Sequence, residues 1–571
     1  MKSSAVIKGL FSLTLIVIII LHAGCKKDND SLPLSEIPTI ASVTPEEGTI
    51  NTELTITGTN FKAGAVVYIG GKASTDVETL SGSVIYAKVP SGITANTLLS
   101  VEVENPGGGK AVLNNVFKAI EPELSFINSA TKPSGNAGST VIIEGRAFGD
   151  IQGQGEILFS DGAEGTIAAT IADAEDWTDE FIVTTVPGGA KDGPVVVKTE
   201  IGISGEIPFR VTDAATFSPS TITWTETSEL PHGVSGHQAL SIAVENMNKV
   251  INQYVFVSGG IDGDGQASDQ VLSGLINANG TISSWSNTTS LPEPRSFHSS
   301  VAATPFNSKV DGSGYVYLLG GKDSYGDVIS DVTIGVLNDD GTLQAWETAR
   351  ALPQAVHSGG AVIFRSTIYV AGGATADNEP VSKVYKAKIM EDGQLEEWET
   401  LPELPYGVAH HGFVAFGGYL YSVGGETGIV LPDAGEGNSG TKQIFYSKIN
   451  LRNGDIDDWT LNPAELGKER SKHSTLVLGG SLFVSSGLYS GLTGNTGGSS
   501  ENAYASIKPD GTIDSFGGAT GSNTLFGTGG SNLFNQSGIS YIDSEGVAHV
   551  MIIGGAKVGS PGTMLDKVFY Y

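Results

Sequence analysis

The sequence predicts an all-β protein in which two small β-sandwich domains precede a ring of six four-stranded sheets. Glycine accounts for 77 of the 571 residues and charged residues for only 16%, a composition typical of chains with many tight turns. Short alternating apolar stretches separated by turn residues occupy positions 38–213, and a longer pattern of turns, aromatic residues and small-residue pairs repeats over 214–571. A chain of this length needs more than one hydrophobic core, so we expect these regions to form separate domains.

The first 24 residues have the features of an export signal. Two lysines precede an apolar stretch at residues 11–21 that is too short to span a bilayer comfortably. The single cysteine, Cys25, then follows two small residues. This resembles the lipobox of bacterial lipoproteins and implies a signal peptide over 1–24 and lipidation of Cys25, although His22 departs from the small or aliphatic residue usual in that motif. The alternative is a plain N-terminal membrane anchor that contains a cysteine by chance.

The segment after the cysteine indicates where the protein is located, and the net charge indicates which partners it can bind. The polar tether at 25–37 resembles export signals that direct some Gram-negative lipoproteins to the outer face of the outer membrane. We therefore expect a lipid-anchored, surface-exposed protein of the outer membrane. With 32 basic and 62 acidic residues the formal net charge is −30, which repels phosphate backbones, so we expect no nucleic-acid partner.

Two segments share one order of landmarks. In residues 38–119 these are Pro38, Pro45, Gly48, Ile56 to Phe61, Val89 to Gly92, Asn105 to Gly108 and Phe117. In residues 120–213 they are Pro122, Gly138, Ile143 to Phe148, Val186 to Gly188 and Phe209. Both segments resemble the IPT/TIG family of immunoglobulin-like domains, which serve as spacers, binding modules or dimerisation units. Directly after a lipid anchor, we expect the pair to act as a stalk.

The repeat in residues 214–571 has a constant spacing between its turns and its aromatic residues. Five Asn-Gly or Asp-Gly dipeptides, which favour hairpin turns, are each followed five residues after the glycine by an aromatic residue: Trp285, Trp346, Trp398, Trp459 and Phe516. Six small pairs end the apolar stretches between them: Gly259-Gly260, Gly320-Gly321, Gly372-Gly373, Gly424-Gly425, Ser486-Gly487 and Gly554-Gly555.

The whole segment resembles the kelch family of β-propellers. The resemblance implies six blades, with the glycine pair ending strand b and the tryptophan on the outer strand d. The sixth unit has no aromatic residue of this kind before the chain ends at Tyr571, whereas Trp224 stands upstream of the first unit. We therefore predict that the segment around Trp224 supplies the missing outer strand and closes the ring.

The propeller has one face that is predicted to be structural and one that is predicted to bind. Antiparallel strands a to d place the uniform Asn/Asp-Gly turns on one face and the b–c loops on the other. These b–c loops vary in length, as binding loops on a rigid scaffold do. The longest are 426–441 and 488–501, and the second contains Tyr489.

Five of the nine histidines recur near the start of inner strand a, each 11 to 14 residues after a blade's tryptophan: His237, His298, His357, His411 and His473. Arg295 and Arg470 precede two of them by three residues. One interpretation is a polar, partly cationic channel mouth at which these side chains and Tyr489 bind a ligand or a metal. The other is that each histidine hydrogen-bonds the neighbouring blade's backbone.

Asp262 and Asp264 raise the separate possibility of calcium, but the remaining EF-hand positions are missing. We predict no metal site and no cofactor.

No catalytic constellation can be recognised in the sequence. Among kelch proteins, galactose oxidase-like copper enzymes need a tyrosine–cysteine crosslink, which Cys25 cannot supply from outside the propeller. Our leading hypothesis is a non-catalytic surface lipoprotein that binds a glycan or a protein through the loop-rich face. The domain order resembles glycan-binding lipoproteins of polysaccharide-uptake systems, which implies an outer-membrane transporter as a partner. The alternatives are a carbohydrate-active enzyme at the channel mouth, such as a mutarotase of the kelch class or a hydrolase, and an adhesion or assembly protein.

Overall fold

The computed structural model describes residues 37–128, 133–163, 165–212, 223–305, 307–428, 440–478, 480–489, 497–498, 502–518, 533–542, 548–557 and 563–571. The predicted signal peptide, Cys25 and the tether up to residue 36 lie outside these residues, so lipidation stays a prediction. Across the described ranges, no helix is long and apolar enough to cross a membrane. The predicted all-β class is confirmed, since the described residues fold into strands joined by turns and loops, with a single turn of 3-10 helix at Ala174–Asp176.

Sandwich 1 is the first β-sandwich, with alternating side chains of both sheets meeting in its core. One sheet contains, in spatial order, Thr39–Thr44, Glu53–Thr59, Val84–Lys88 and Val77–Ser81. The other contains Glu47–Gly48, Lys110–Ala119, Leu98–Glu104, Val66–Ile69 and Lys72–Ala73. In Glu53–Thr59 the inward Leu54 and Ile56 are fully buried, as the period of two along a strand requires.

Sandwich 2 repeats this plan. Its sheets contain Glu123–Ile127, Thr140–Arg146 and Phe181–Thr185, and then Ser134–Gly135, Ile207–Val211, Gly193–Lys198, Glu156–Ser160 and Thr166–Ala168. One glycine of the shared motif is required for the same steric reason in both domains. A Cβ on Gly58 would lie 1.8 Å from the carbonyl oxygen of Thr39, and one on Gly145 would lie 1.9 Å from that of Glu123. The opposite strand approaches too closely for any side chain.

Six four-stranded sheets form the blades of the propeller, as far as the described residues show, and three short two-stranded sheets join their loops. From strand a to strand d, blade 1 consists of Gln238–Glu245, Ile251–Ser258, Val271–Ile276 and Ile282–Asn287. Blade 2 consists of Ser299–Ala303, Tyr315–Leu319, Val332–Leu337 and Leu343–Ala349, and blade 3 of Gly360–Phe364, Thr367–Ala371, Val384–Lys388 and Glu399–Leu401. Blade 4 consists of Gly412–Phe416, Tyr419–Val423, Ile444–Lys448 and Thr460–Leu461, and blade 5 of Ser474–Leu478, Ser481–Ser485, Asn502–Ser506 and Gly517–Gly518. Blade 6 consists of Ser537–Ile542, Ala548–Ile553, Val568–Tyr570 and Thr225–Glu226. Each inner strand contacts the next, and that of blade 6 contacts that of blade 1.

The N-terminal outer strand closes the ring, as the sequence predicts. Thr225–Glu226 pairs antiparallel with Val568–Tyr570, and the preceding Trp224 packs on Phe483 of blade 5. Trp285 packs in the same way on the core of the neighbouring blade 6. The outer-strand aromatic side chains therefore bind successive blades together.

Sandwich 2 is docked on the propeller face that carries the Asn/Asp-Gly turns. The guanidinium of Arg365, at the a–b turn of blade 3, lies 3.0 Å from the ring centroid of Phe181. Val183 is buried in one apolar cluster with Phe364 and Leu451 of the propeller. Around this contact Lys309, Lys448 and Arg452 of the propeller meet acidic side chains of the sandwich, namely Glu180, Asp173, Asp176 and Asp150. One face of the propeller is therefore covered by the chain's own domain, and the loop face points away from it.

Candidate functional site

The paired small residues at the ends of the b strands are explained by what packs on them. Both glycines of each Gly-Gly pair have positive φ, where a residue with a side chain is strained. A Cβ on Gly259 would lie 2.2 Å from the carbonyl oxygen of Arg295 and 3.0 Å from Cε1 of His298. A Cβ on Gly260 would lie 2.7 Å from Cβ of His237. Each pair is thus enclosed between the loop starting its own strand a and that of the next blade.

Four of the predicted ligand-binding histidines are structural neighbours of these pairs. His237, His298, His411 and His473 are between 1% and 8% exposed. Nε2 of His298 lies 3.0 Å from Oγ of Ser258 in the preceding blade. Burial lowers the pKa of His237 and of His411 to about 4 each, so these rings are neutral near pH 7. The geometry favours packing between blades over the interpretation of a ligand-binding ring.

The fifth histidine does not share this position, which corrects the sequence-based assignment. Backbone pairing shows that His357 is equivalent to Ser296 and Ser471 of other blades. Each of these residues comes directly before a residue with positive φ, which recurs once in every blade. Gly359 stands where the other blades have histidine, and in blade 6 Gln536 stands there. The short spacing in the sequence reflects this: His357 follows its tryptophan by 11 residues, whereas the other four histidines follow by 13 or 14.

The other predicted binding residues are also placed differently from the expectation. Arg295 is 6% exposed, and its guanidinium donates to the carbonyls of Leu318 and Asp331 and to Oγ1 of Thr333 within its own blade. Arg470 is 5% exposed. Both arginines are therefore enclosed in the propeller rather than at its mouth.

The long b–c loops are described only in part. The backbone of Leu488–Tyr489 pairs with Gly497–Gly498 at the start of the blade 5 loop, whereas the side chain of Tyr489 and most of the two long loops lie outside the described residues. Their contribution to binding stays a prediction.

At the centre of the loop face, six residues form a closed ring of backbone hydrogen bonds. One residue from each blade has φ between 52° and 62°: Gly236, Phe297, Ser358, His410, Lys472 and Asn535. Each donates its N–H to the carbonyl of its counterpart in the preceding blade at 2.8 to 3.1 Å, and Gly236 donates to Asn535 to complete the circle. This ring defines the channel mouth and saturates its backbone polar groups, so only side chains remain to interact with a ligand.

Side chains from this ring and its neighbours form the mouth cluster, defined as Phe297, His357, His410, Glu426 and Lys472. The ring centroids of Phe297, His357 and His410 lie 6.1 to 6.4 Å apart in edge-on arrangements. Glu426 accepts hydrogen bonds from Nζ of Lys472 at 2.6 Å and from Oγ of Ser471 at 3.0 Å. All cluster members except His357 are partly exposed. The mouth therefore presents aromatic edges beside an ion pair.

Protonation in the mouth cluster follows from burial and charge. Burial lowers the pKa of His410 to about 3, and the carboxylate of Glu426 offsets this only in part. Burial raises the pKa of Glu426, but His410, Lys472 and the hydrogen bonds from Lys472 and Ser471 outweigh it and hold that pKa below its ordinary value. Near neutral pH the cluster thus combines a neutral imidazole with a charged Glu–Lys pair. Sequence reasoning missed Phe297, His410 and Lys472, although a ring residue directly precedes a repeated histidine in four blades. It included Glu426 only as the first residue of the loop 426–441.

The aspartates considered above as a possible calcium site stabilise a turn instead. Oδ1 of Asp262 accepts the N–H groups of Asp264 and Gln266, and Asp323 accepts from its own loop in the same way in blade 2. These carboxylates fasten the b–c loops. Among the residues described, no group of three or more His, Cys, Asp or Glu side chains is placed to hold a metal ion.

Comparisons with known proteins find similarity to a domain family, to a curated protein and to a solved structure. Residues 38–119 match the sequence model of the IPT/TIG domain family. The Kelch-like protein terF of Aspergillus terreus is 28% identical over 192 residues, which is 32% of this chain and 38% of that protein. The solved structure of YjhT covers 60% of this chain and 96% of its own, with a TM-score of 0.42 at 16% identity. The chain therefore joins an IPT/TIG domain to a region with kelch-like features, a combination that suits a binding or scaffold role.

Proposed function

We propose that this chain is a non-catalytic lipoprotein of the cell surface that binds a glycan at the mouth cluster of its propeller. The single observation that supports this most is the composition of the cluster itself. Aromatic rings beside a fixed carboxylate and ammonium offer both apolar contact and directed hydrogen bonds, which is the mixture that small-ligand sites use. Tyr325, 90% exposed on the b–c loop of blade 2, adds a free aromatic ring to the same face.

The position of sandwich 2 supports the loop face over the turn face. Its contacts with Arg365, Leu451 and Arg452 occupy the turn face, so an external ligand meets the loops. With a lipid at Cys25 and two sandwiches in between, the loop face would be presented away from the membrane, where a glycan and an outer-membrane transporter could reach it.

A glycan array followed by calorimetry on the chain from residue 26 onwards tests this proposal. We expect Lys472→Ala and His410→Ala to weaken binding of the glycan identified on the array by tenfold or more, because each removes a partner at the mouth. Lys508→Ala is the matched control, since Lys508 is also ion-paired, with Asp514, but in blade 5 beside its Asp-Gly turn. Equal binding by all three variants would contradict a site at the mouth.

A carbohydrate-active enzyme is the second candidate, and the electrostatic interaction between His410 and Glu426 is the observation that favours it. A neutral imidazole next to an ionised carboxylate can exchange a proton with a bound sugar. Nuclear magnetic resonance of the bound glycan over time separates the two functions. An unchanged spectrum supports binding alone, whereas anomer exchange or bond cleavage that Glu426→Gln abolishes would replace our proposal with the enzyme.

A further inference from the structure

The aromatic ring of Tyr325 lies in solvent at the tip of the b–c hairpin of blade 2, where the residue is 90% exposed. Tyrosine rings usually bury most of their apolar surface, either in a core or against a ligand or partner. The exposed ring therefore serves either the hairpin itself or a molecule that binds to it.

The neighbouring blades show that the hairpin does not need the ring. Blades 1, 2 and 3 share one turn between strands b and c. The N–H of its first residue donates to the carbonyl four residues later, and its carbonyl accepts from a residue with positive φ three residues later. The tip position directly before that positive-φ residue is exposed in all three blades and is occupied by Asp264, Tyr325 and Asp377. Since aspartate suits the same turn in two blades, the fold does not explain an aromatic residue in the third.

The hairpin of blade 2 begins at the edge of the mouth cluster. Lys322 pairs with Ser296 across an isolated bridge, and Ser296 directly precedes Phe297 of the cluster. From the spacing of paired and successive residues, Cα of Tyr325 lies at most about 20 Å from Cα of Phe297. At 90% exposure the ring of Tyr325 does not pack on the cluster itself. A ligand that contacts both therefore has to extend from the mouth along the hairpin.

Lys322 lies between these two points and is half-buried. Among the residues that the structure describes, no ion pair includes its ammonium group. Burial lowers the pKa of His357 to about 4, and the positive charge of Lys322 contributes to this shift, so the ammonium lies near the cluster. Without a carboxylate partner, it can donate hydrogen bonds to the hydroxyls of a ligand.

We propose that the ligand of the mouth cluster is an oligosaccharide of several sugars, in which a distal sugar stacks on Tyr325 and Lys322 hydrogen-bonds the sugars between. This inference rests on the proposed glycan site and adds a preference for chain length to it. A single sugar fills only the mouth, whereas a longer chain also covers the apolar surface of the exposed ring.

Calorimetry on the chain from residue 26 onwards measures affinity against chain length. The probes are linear oligosaccharides of one to six sugars derived from cellulose, xylan, amylose, mannan and galactan. We expect the affinity for at least one series to rise by about tenfold or more once the chain reaches Tyr325, the scale of one aromatic contact. Tyr325→Asp should remove this rise without changing the melting temperature, because blades 1 and 3 carry aspartate in the same turn. Tyr325→Phe keeps the ring and should retain the rise.

Two further variants separate this subsite from the mouth. Asp264→Ala is the matched control, since Asp264 occupies the equivalent exposed tip in blade 1, and it should leave the dependence on length unchanged. Lys472→Ala alters the mouth cluster and should weaken binding at every length, whereas Tyr325→Asp should weaken binding of the longer chains alone.

The outcomes distinguish the subsite from the function on which it rests. Affinity that does not depend on length, or a rise that Tyr325→Asp leaves intact, would overturn the subsite while the proposed site at the mouth stands. No binding of any series at any length would overturn the proposed glycan function and this inference with it.

Discussion

Replacing His237 by glutamine should make the propeller less sensitive to acid. The native ring is 1% exposed and packed on Gly554 of blade 6. Glutamine is the matched replacement because blade 6 already carries Gln536 at this position, where its amide donates to the carbonyl of Ser485 at 3.1 Å. His237→Gln should therefore fold and can hydrogen-bond the preceding blade as Gln536 does, without carrying a titratable group.

The magnitude follows from the pKa of the buried ring. Burial lowers the pKa of His237 from 6.5 to about 4. Above pH 6.5 the ring is neutral in both the folded and the unfolded chain, so it contributes no pH dependence. Between pH 6.5 and 4 the unfolded chain binds a proton that the folded chain does not, which favours unfolding. One pKa unit corresponds to about 1.4 kcal/mol, so His237 alone lowers the free energy of unfolding by about 3 kcal/mol across this window.

Urea unfolding of wild type and His237→Gln at a series of pH values between 7.5 and 4 measures this difference. We expect the two curves of stability against pH to diverge as the pH falls, with the variant losing less. His232→Gln is the control, because His232 is an exposed histidine just ahead of the same blade and should leave the slope unchanged. If His237→Gln and wild type lost stability in parallel, the packing role assigned to the buried histidines would be wrong.

Two further changes test the architecture. Gly259→Ala should lower the free energy of unfolding by about 1–3 kcal/mol, because its Cβ would meet the carbonyl oxygen of Arg295 at positive φ, whereas Gly263→Ala, with open space around it, should be neutral in the same urea titration. Deletion of residues 214–226 removes the strand paired with Val568–Tyr570 and should abolish the cooperative calorimetric transition of the propeller; an unchanged transition would contradict closure by this strand.

The repeat could be predicted from the sequence because it depends on local backbone chemistry. An Asp-Gly turn has one favoured geometry, and a tryptophan five residues later falls at a fixed place on strand d. Trp285 and Trp346 donate from Nε1 to the carbonyls of Ser228 and Thr289 at equivalent points of the preceding blades. Because the same contacts recur around the ring, spacing alone was enough to place them.

The mouth cluster could not be predicted in this way because it depends on differences between the blades. The ring position only requires a positive φ, and residues as different as Phe297 and Lys472 occupy it. Glu426 joins the cluster from a b–c loop, through an ion pair that no sequence period encodes. The repeated histidines, in contrast, were conspicuous in the sequence because they recur. They pack in the same way in four blades, and a residue that recurs in this way is usually structural.

Docking of sandwich 2 changes what the tandem sandwiches are expected to do. A stalk only needs length, and a flexible linker would let the propeller turn in any direction. Here apolar contact through Val183, a guanidinium over Phe181 and several ion pairs hold the second sandwich against the turn face. Surface ion pairs contribute little individually, so the buried apolar contact and the stacked Arg365 should dominate. The chain's own domain therefore covers much of the turn face, and the loop face is the one left open to a large ligand from outside.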